Sequence, residues 1–137
     1  MNYPEQFDLV WLAVDEIGNL AAMITGGAGP IPSGVLAHGD KVLEIEEALL
    51  ALPLLGAASI HVQVPNPSSF EALGERGLFV YDWTDVHRPV ASALKTYELV
   101  VSPSDYLNLG DMPASLKALA APLGGSVRFG CPALDVR

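Results

Sequence analysis

The chain is predicted to fold as an α+β domain, with a single mostly antiparallel sheet of about five to six strands packed on two to three helices. Three observations predict it. Apolar runs of strand length alternate irregularly with helical stretches, which is not the regular strand–helix–strand series of a doubly wound sheet. The first two runs are joined by a tight-turn signal and read as an antiparallel hairpin. The 13 glycines and 11 prolines fall between the apolar segments and punctuate them. A chain of 137 residues fits one globular domain, residues 1–137.

The elements follow in order. "FDLVWLAVD" (Phe7 to Asp15) is apolar on both alternating sets, which suits a strand covered on both sides. Trp11 at its middle is expected in the core. "EIGN" supplies the turn, and "LAAMIT" (Leu20 to Thr25) the second strand. "GGAGPIPSG" (Gly26 to Gly34) is a sharply bending loop. It has neither the Gly-Lys-Ser/Thr ending nor the glycine spacing of a nucleotide-binding loop.

"GDKVLEIEEALLAL" (Gly39 to Leu52) is the strongest helix. Asp40 is a plausible N-cap, and Pro53 stops the helix. Val42, Ile45, Leu49 and Leu52 form one apolar stripe. Glu44 and Glu47 point away from it. Glu46 lies between that stripe and Leu43 and Leu50, either partly buried or reaching past the helix edge to water.

"ASIHVQV" (Ala58 to Val64) alternates as a strand with one polar side. "PNPSSFEALGERG" (Pro65 to Gly77) is a short helix capped by Ser68 or Ser69. "LFVYDW" (Leu78 to Trp83) and "TYELVVS" (Thr96 to Ser102) are strands, with a further helical turn near residues 89–94. "GDMPASLKALAAP" (Gly110 to Pro122) is a helix with Asp111 as N-cap, and "GSVRFG" (Gly125 to Gly130) a last strand.

Charge excludes one class of partner. Seven basic residues against sixteen acidic ones give −9, so nucleic acid is not expected. The longest apolar stretch, Ala48 to Ala58, is broken by Pro53 and falls short of the roughly 18 residues of a membrane span. The N-terminus has no basic and apolar signal pattern, so a cytoplasmic setting is the default. Cys131 stands alone and reads as a small packed thiol.

The stretch richest in chemistry is "YDWTDVHRPV", residues 81–90. Asp82, Asp85 and His87 are suitable metal ligands, but the set is incomplete and matches no closed spacing. The alternative is a surface-proximal polar loop in which Arg88 pairs with Asp82 or Asp85. No nucleophile elbow marks any serine, and no catalytic residue can be assigned. No metal and no cofactor is expected.

With those residues in view, the chain resembles a loose group of small bacterial proteins. The resemblance lies in Val10 to Pro32, Tyr81 to Arg88 and Tyr97 to Ser104. Proteins of this kind are similar in size and charge to immunity proteins of bacterial toxin systems. The resemblance implies a small acidic binding protein that blocks a basic toxin or effector. Its candidate binding residues are Glu44, Glu46, Glu47, Asp82, Asp85, His87 and Arg88. A homodimer is compatible with the same reading. The competing expectation is a small hydrolase or metal-dependent enzyme built on Asp82, Asp85 and His87.

Overall fold

The computed structural model describes residues 8–62, 67–83, 96–123 and 126–136. Strands β1 (Val10–Val14) and β2 (Leu20–Ile24) form the expected hairpin, with Val14 opposite Leu20. Its turn closes at Gly18, whose φ of 90° is left-handed backbone that glycine adopts without a Cβ penalty. A Cβ there would also lie 2.8 Å from the Asn108 amide nitrogen.

The chain then runs through α1 (Ser33–Leu36), a 3-10 turn (Gly39–Glu44), α2 (Ile45–Leu50), β3 (Ala58–Ile60) and α3 (Ser68–Gly74). It continues through β4 (Phe79–Trp83), β5 (Tyr97–Pro103), a 3-10 turn (Leu109–Asp111), α4 (Ala114–Lys117), β6 (Ala121–Pro122) and β7 (Ala133–Leu134). The strand order is β3-β5-β4-β2-β1-β6. β3 takes the Val101–Pro103 end of β5 and β7 takes the Tyr97–Glu98 end.

The α+β class holds, but the sheet is mixed rather than mostly antiparallel. Among the described residues it has seven strands, and four α-helices accompany it. β2 pairs with β4, and β1 with β6, in parallel. The physical reason is the connection. A strand that returns parallel to its neighbour needs a long crossover, and α1, α2, β3 and α3 all lie between β2 and β4.

Register fixes what each face carries. Trp11, Met23, Tyr81 and Leu99 form one row across four strands, and Leu12, Ala22, Val80 and Val101 the next. Adjacent rows point to opposite faces. One face is therefore aromatic, with Trp11, Phe79, Tyr81, Trp83 and Tyr97. The other is mainly aliphatic and receives the helices. α3 comes so close that a Cβ on Gly74 would lie 2.5 Å from Val101 Cγ1 and 2.7 Å from Ala58 Cβ. The aromatic face is covered by the C-terminal segment, whose Phe129 ring stands 5.9 Å from Phe79 and 5.8 Å from Tyr81.

Of the expected apolar stripe, Val42, Ile45 and Leu49 are buried, whereas Leu52 is half-buried and lies past the end of α2. The winding of this stretch is not uniform, because the first six residues are 3-10 and only Ile45–Leu50 is α. His38, not Asp40, occupies its N-cap position, without a side-chain hydrogen bond. Pro67 and Pro113 precede α3 and α4, so neither Ser68, Ser69 nor Asp111 caps those helices. Of "GSVRFG", the described residues 126–130 form no strand and contribute an isolated bridge from Phe129 to Cys131. The turn foreseen near residues 89–94 lies outside the described residues.

Trp11 is fully buried and packs edge-on against Tyr97, ring centroids 6.0 Å apart. Trp11→Ala is expected to destabilise the fold by about 3–5 kcal/mol, and Tyr97→Phe by about 1 kcal/mol. Chemical denaturation midpoints check both, and a Trp11→Ala midpoint near wild type would contradict this packing.

Candidate functional site

β2 and β4 are parallel, so their carboxyl ends open on the same edge of the sheet. Crevices at such edges are where α/β sheets commonly bind ligands. The glycine-rich loop and the described start of the 81–90 stretch, Tyr81 to Trp83, meet here. A Cβ on Gly26 would lie 3.9 Å from the Trp83 carbonyl, so the glycine-rich loop packs against the end of β4.

The first four amides of the loop are already committed. Gly26 N–H donates to Asp8 Oδ1 at 3.0 Å, and Gly27 N–H to Thr25 Oγ1 at 3.3 Å. Ala28 and Gly29 N–H both donate to the Thr25 carbonyl. Four consecutive amides that would cradle a phosphate are thus turned onto the protein. The Tyr97 hydroxyl secures the far side by donating to the Pro30 carbonyl at 2.9 Å and accepting from Trp11 Nε1 at 3.2 Å. A Cβ on Gly29 would lie 2.6 Å from that hydroxyl, so glycine is required.

Asp82 sits at this edge, on the helix-bearing face. It is only 9% exposed, deeper than a surface-proximal loop position. Its register partners are Ile24 on β2 and Glu98 on β5. Two carboxylates therefore stand side by side across the strands. Sequence reading missed Glu98, because only strand pairing brings it beside Asp82. Asp85, His87 and Arg88 lie outside the described residues. Among the described residues, no group of three His, Cys, Asp or Glu side chains is placed to hold a metal ion.

The acidic helix is laid out differently. Asp40, Glu44, Glu46 and Glu47 are all exposed. Glu46 reaches water because its neighbour Leu43, on the same flank, is itself 54% exposed. None of the four carboxylates forms an ion pair or side-chain hydrogen bond with a described residue. Beside them is an open cleft of about 310 Å³ between α2 and α4. Ile45, Leu116 and Leu119 supply its apolar wall, and His38, Lys41 and Glu44 its polar groups.

The buried polar groups elsewhere are committed to the fold. Asp15 Oδ1 accepts from the Ile17 and Asn19 amides, at 3.1 and 2.8 Å. Its Oδ2 accepts from Phe129 N–H at 2.9 Å, which ties the hairpin turn to the C-terminal segment. The Tyr81 hydroxyl donates to the Cys131 carbonyl at 2.7 Å and accepts from Gly130 N–H at 3.1 Å. The Cys131 thiol is 3.5 Å from the same hydroxyl. The chain matches no family model, no curated protein and no solved structure.

Burial, and then the Cys131 contact, push the Tyr81 phenol well above its ordinary value of 10.0. The folded protein keeps Tyr81 neutral where an unfolded chain would ionise it. The resulting stabilisation is complete below about pH 10 and is lost as the pH rises further. Tyr81→Phe should lower stability at neutral pH yet flatten the alkaline decline. Denaturant unfolding over an alkaline pH series reads both, and an unchanged alkaline slope would remove Tyr81 as its source.

Proposed function

We propose that this chain is a non-enzymatic protein-binding module of the cytoplasm, acting as an immunity protein that blocks a basic toxin or effector. The observation that supports this reading best is the exposed row Asp40, Glu44, Glu46 and Glu47. Carboxylates spaced within about two helical turns add their potentials at the surface. No described residue forms an ion pair with them, and with Lys41 the single cation on the same stretch they outnumber it four to one, which leaves net negative charge for a basic surface. Their desolvation and pairing would be completed by the partner. Such a surface acts mainly on encounter rate and on the choice of partner. No helix among the described residues is long and apolar enough to cross a membrane, which is compatible with this setting.

A second reading draws on Asp82 and Glu98. Adjacent carboxylates at the carboxyl edge of a parallel strand pair are a plausible start for a metal-dependent hydrolase, with Asp85 and His87 completing the set. Metal content of protein purified without chelator or metal-affinity tag separates the two readings. Near-stoichiometric metal that disappears in His87→Ala favours the enzyme, and metal-free protein favours the binding module.

The binding proposal has its own test. Pull-down from the native host, read beside the products of adjacent genes, supplies the partner. The Glu44→Gln, Glu47→Gln double variant should keep its stability within roughly half a kcal/mol. Its association with that partner should slow at low salt, and the difference should shrink as salt screens the charges. Surface plasmon resonance across a salt series measures this. An association rate indifferent to salt and to both substitutions would refute the acidic helix as the binding face.

A further inference from the structure

Apart from the acidic row, the β3 edge of the sheet has recognition chemistry of its own. β3 is the terminal strand of the sheet order. His61 N–H donates to the Val100 carbonyl, and the Ala57 carbonyl accepts from Ser104 N–H, both at 2.8 Å. Alternate residues of a strand turn their N–H and C=O to opposite sides. Ala57, Ser59 and His61 therefore serve β5, while Ala58 and Ile60 direct theirs outward. No other described strand pairs with that side.

The run leading into this edge is exposed, apolar and held in place. Leu54 is 66% exposed, Leu55 43% and Ile60 36%. Arg76 Nε donates to the Leu52 carbonyl at 3.0 Å, and the Leu55 and Gly56 amides donate to the Glu75 carbonyl at 2.7 and 3.1 Å. Ala57 N–H donates to Ser104 Oγ at 2.8 Å. The leucines are thus presented by a fixed backbone, which lowers the ordering cost of docking.

Charge selects the occupant. Between Glu47 and Glu71 the chain has no Asp, Glu, Lys or Arg, and His61 is its only titratable side chain. Two copies of a chain carrying −9 repel one another over most of their surface. They can approach most closely along this run, which carries no formal charge of its own and is flanked by Glu75, Arg76 and Asp105. A basic partner, by contrast, gains little from an uncharged edge. Asp105 stands beside Gly56, at the end of the run away from Ile60, and accepts from Ser104 Oγ at 3.0 Å.

We propose that the β3 edge pairs with β3 of a second copy, antiparallel about a two-fold axis through Ser59. In that register Ala58 faces Ile60 of the second copy and exchanges both backbone hydrogen bonds with it. The symmetric pair does the same, so the two sheets become one. Ile60 lies on the face that carries α3, and the same register sets Gly56 opposite Val62 of the second copy. This interface is independent of the acidic helix and responds to salt with the opposite sign. Screening weakens binding of a basic partner and relieves repulsion between two acidic copies.

Sedimentation velocity on the full chain, from micromolar to submillimolar concentration at low and high salt, tests it. A concentration-dependent dimer strengthened by salt is expected. Ile60→Pro removes an outward N–H and leaves the bonds to β5 intact, so it should raise the dimer dissociation constant roughly tenfold or more. A monomer at every concentration, a dimer weakened by salt, or a dimer unchanged by Ile60→Pro in folded protein would overturn the proposal. If Ile60→Pro fails to fold, amide exchange of the unaltered chain decides. Protection of the Ala58 and Ile60 amides should rise with concentration, and protection that stays flat while a dimer forms refutes this edge.

Discussion

The hydrogen bond from the Trp11 indole to the Tyr97 hydroxyl, passed on to the Pro30 carbonyl, organises the aromatic side of the molecule. It joins β1 to β5, two strands separated in the sheet by β4 and β2. Both rings are fully buried, so each polar atom needs a partner inside the protein. Tyr97 meets both needs with one hydroxyl. The same oxygen sets the path of the loop after β2, since Gly29 must pass beside it without a Cβ. Trp83 adds a second ring to Tyr97 at 5.2 Å. Core packing and loop geometry at the carboxyl edge of β2 and β4 thus depend on one contact.

A second tie closes the opposite end of that face. Asp15 uses one oxygen to shape the β1–β2 turn and the other to hold Phe129. Phe129 in turn packs on Tyr81, whose hydroxyl grips Gly130 and Cys131. A segment with almost no regular structure is held by side chains where backbone ladders are lacking. The Arg128–Glu16 ion pair adds little, because Arg128 is largely exposed and solvent screens it.

Surface charge is segregated along the chain. The acidic carboxylates of the Gly39–Leu50 stretch are followed by more than twenty residues without a formal charge, and the sheet ends inside that neutral run. An exposed strand edge is usually blunted by charge, proline or brevity. Here β3 is short, but no described strand pairs with its outward side, and the flanking leucines are exposed. The two surfaces differ in chemistry, one presenting exposed carboxylates and the other exposed leucines beside outward-facing backbone groups.

Local pattern determined the α+β class, the β1–β2 hairpin, the cores of β4 and β5, the Val42–Ile45–Leu49 stripe and the burial of Trp11. Each rests on periodicity or turn chemistry within a few residues, which a single chain carries in full. Tertiary structure alone decided the rest. The parallel pairing of β2 with β4 depends on a crossover whose path no local pattern records. The two-residue strands β6 and β7 exist only because β1 and β5 offer them an edge. The tie from Asp15 to Phe129, more than a hundred residues away, and the meeting of Glu98 with Asp82 through cross-strand register carry no local mark. Burial of Asp82 and exposure of Glu46 follow the same rule. A side chain's surroundings are set by which elements pack over it, and that is a property of the assembled sheet.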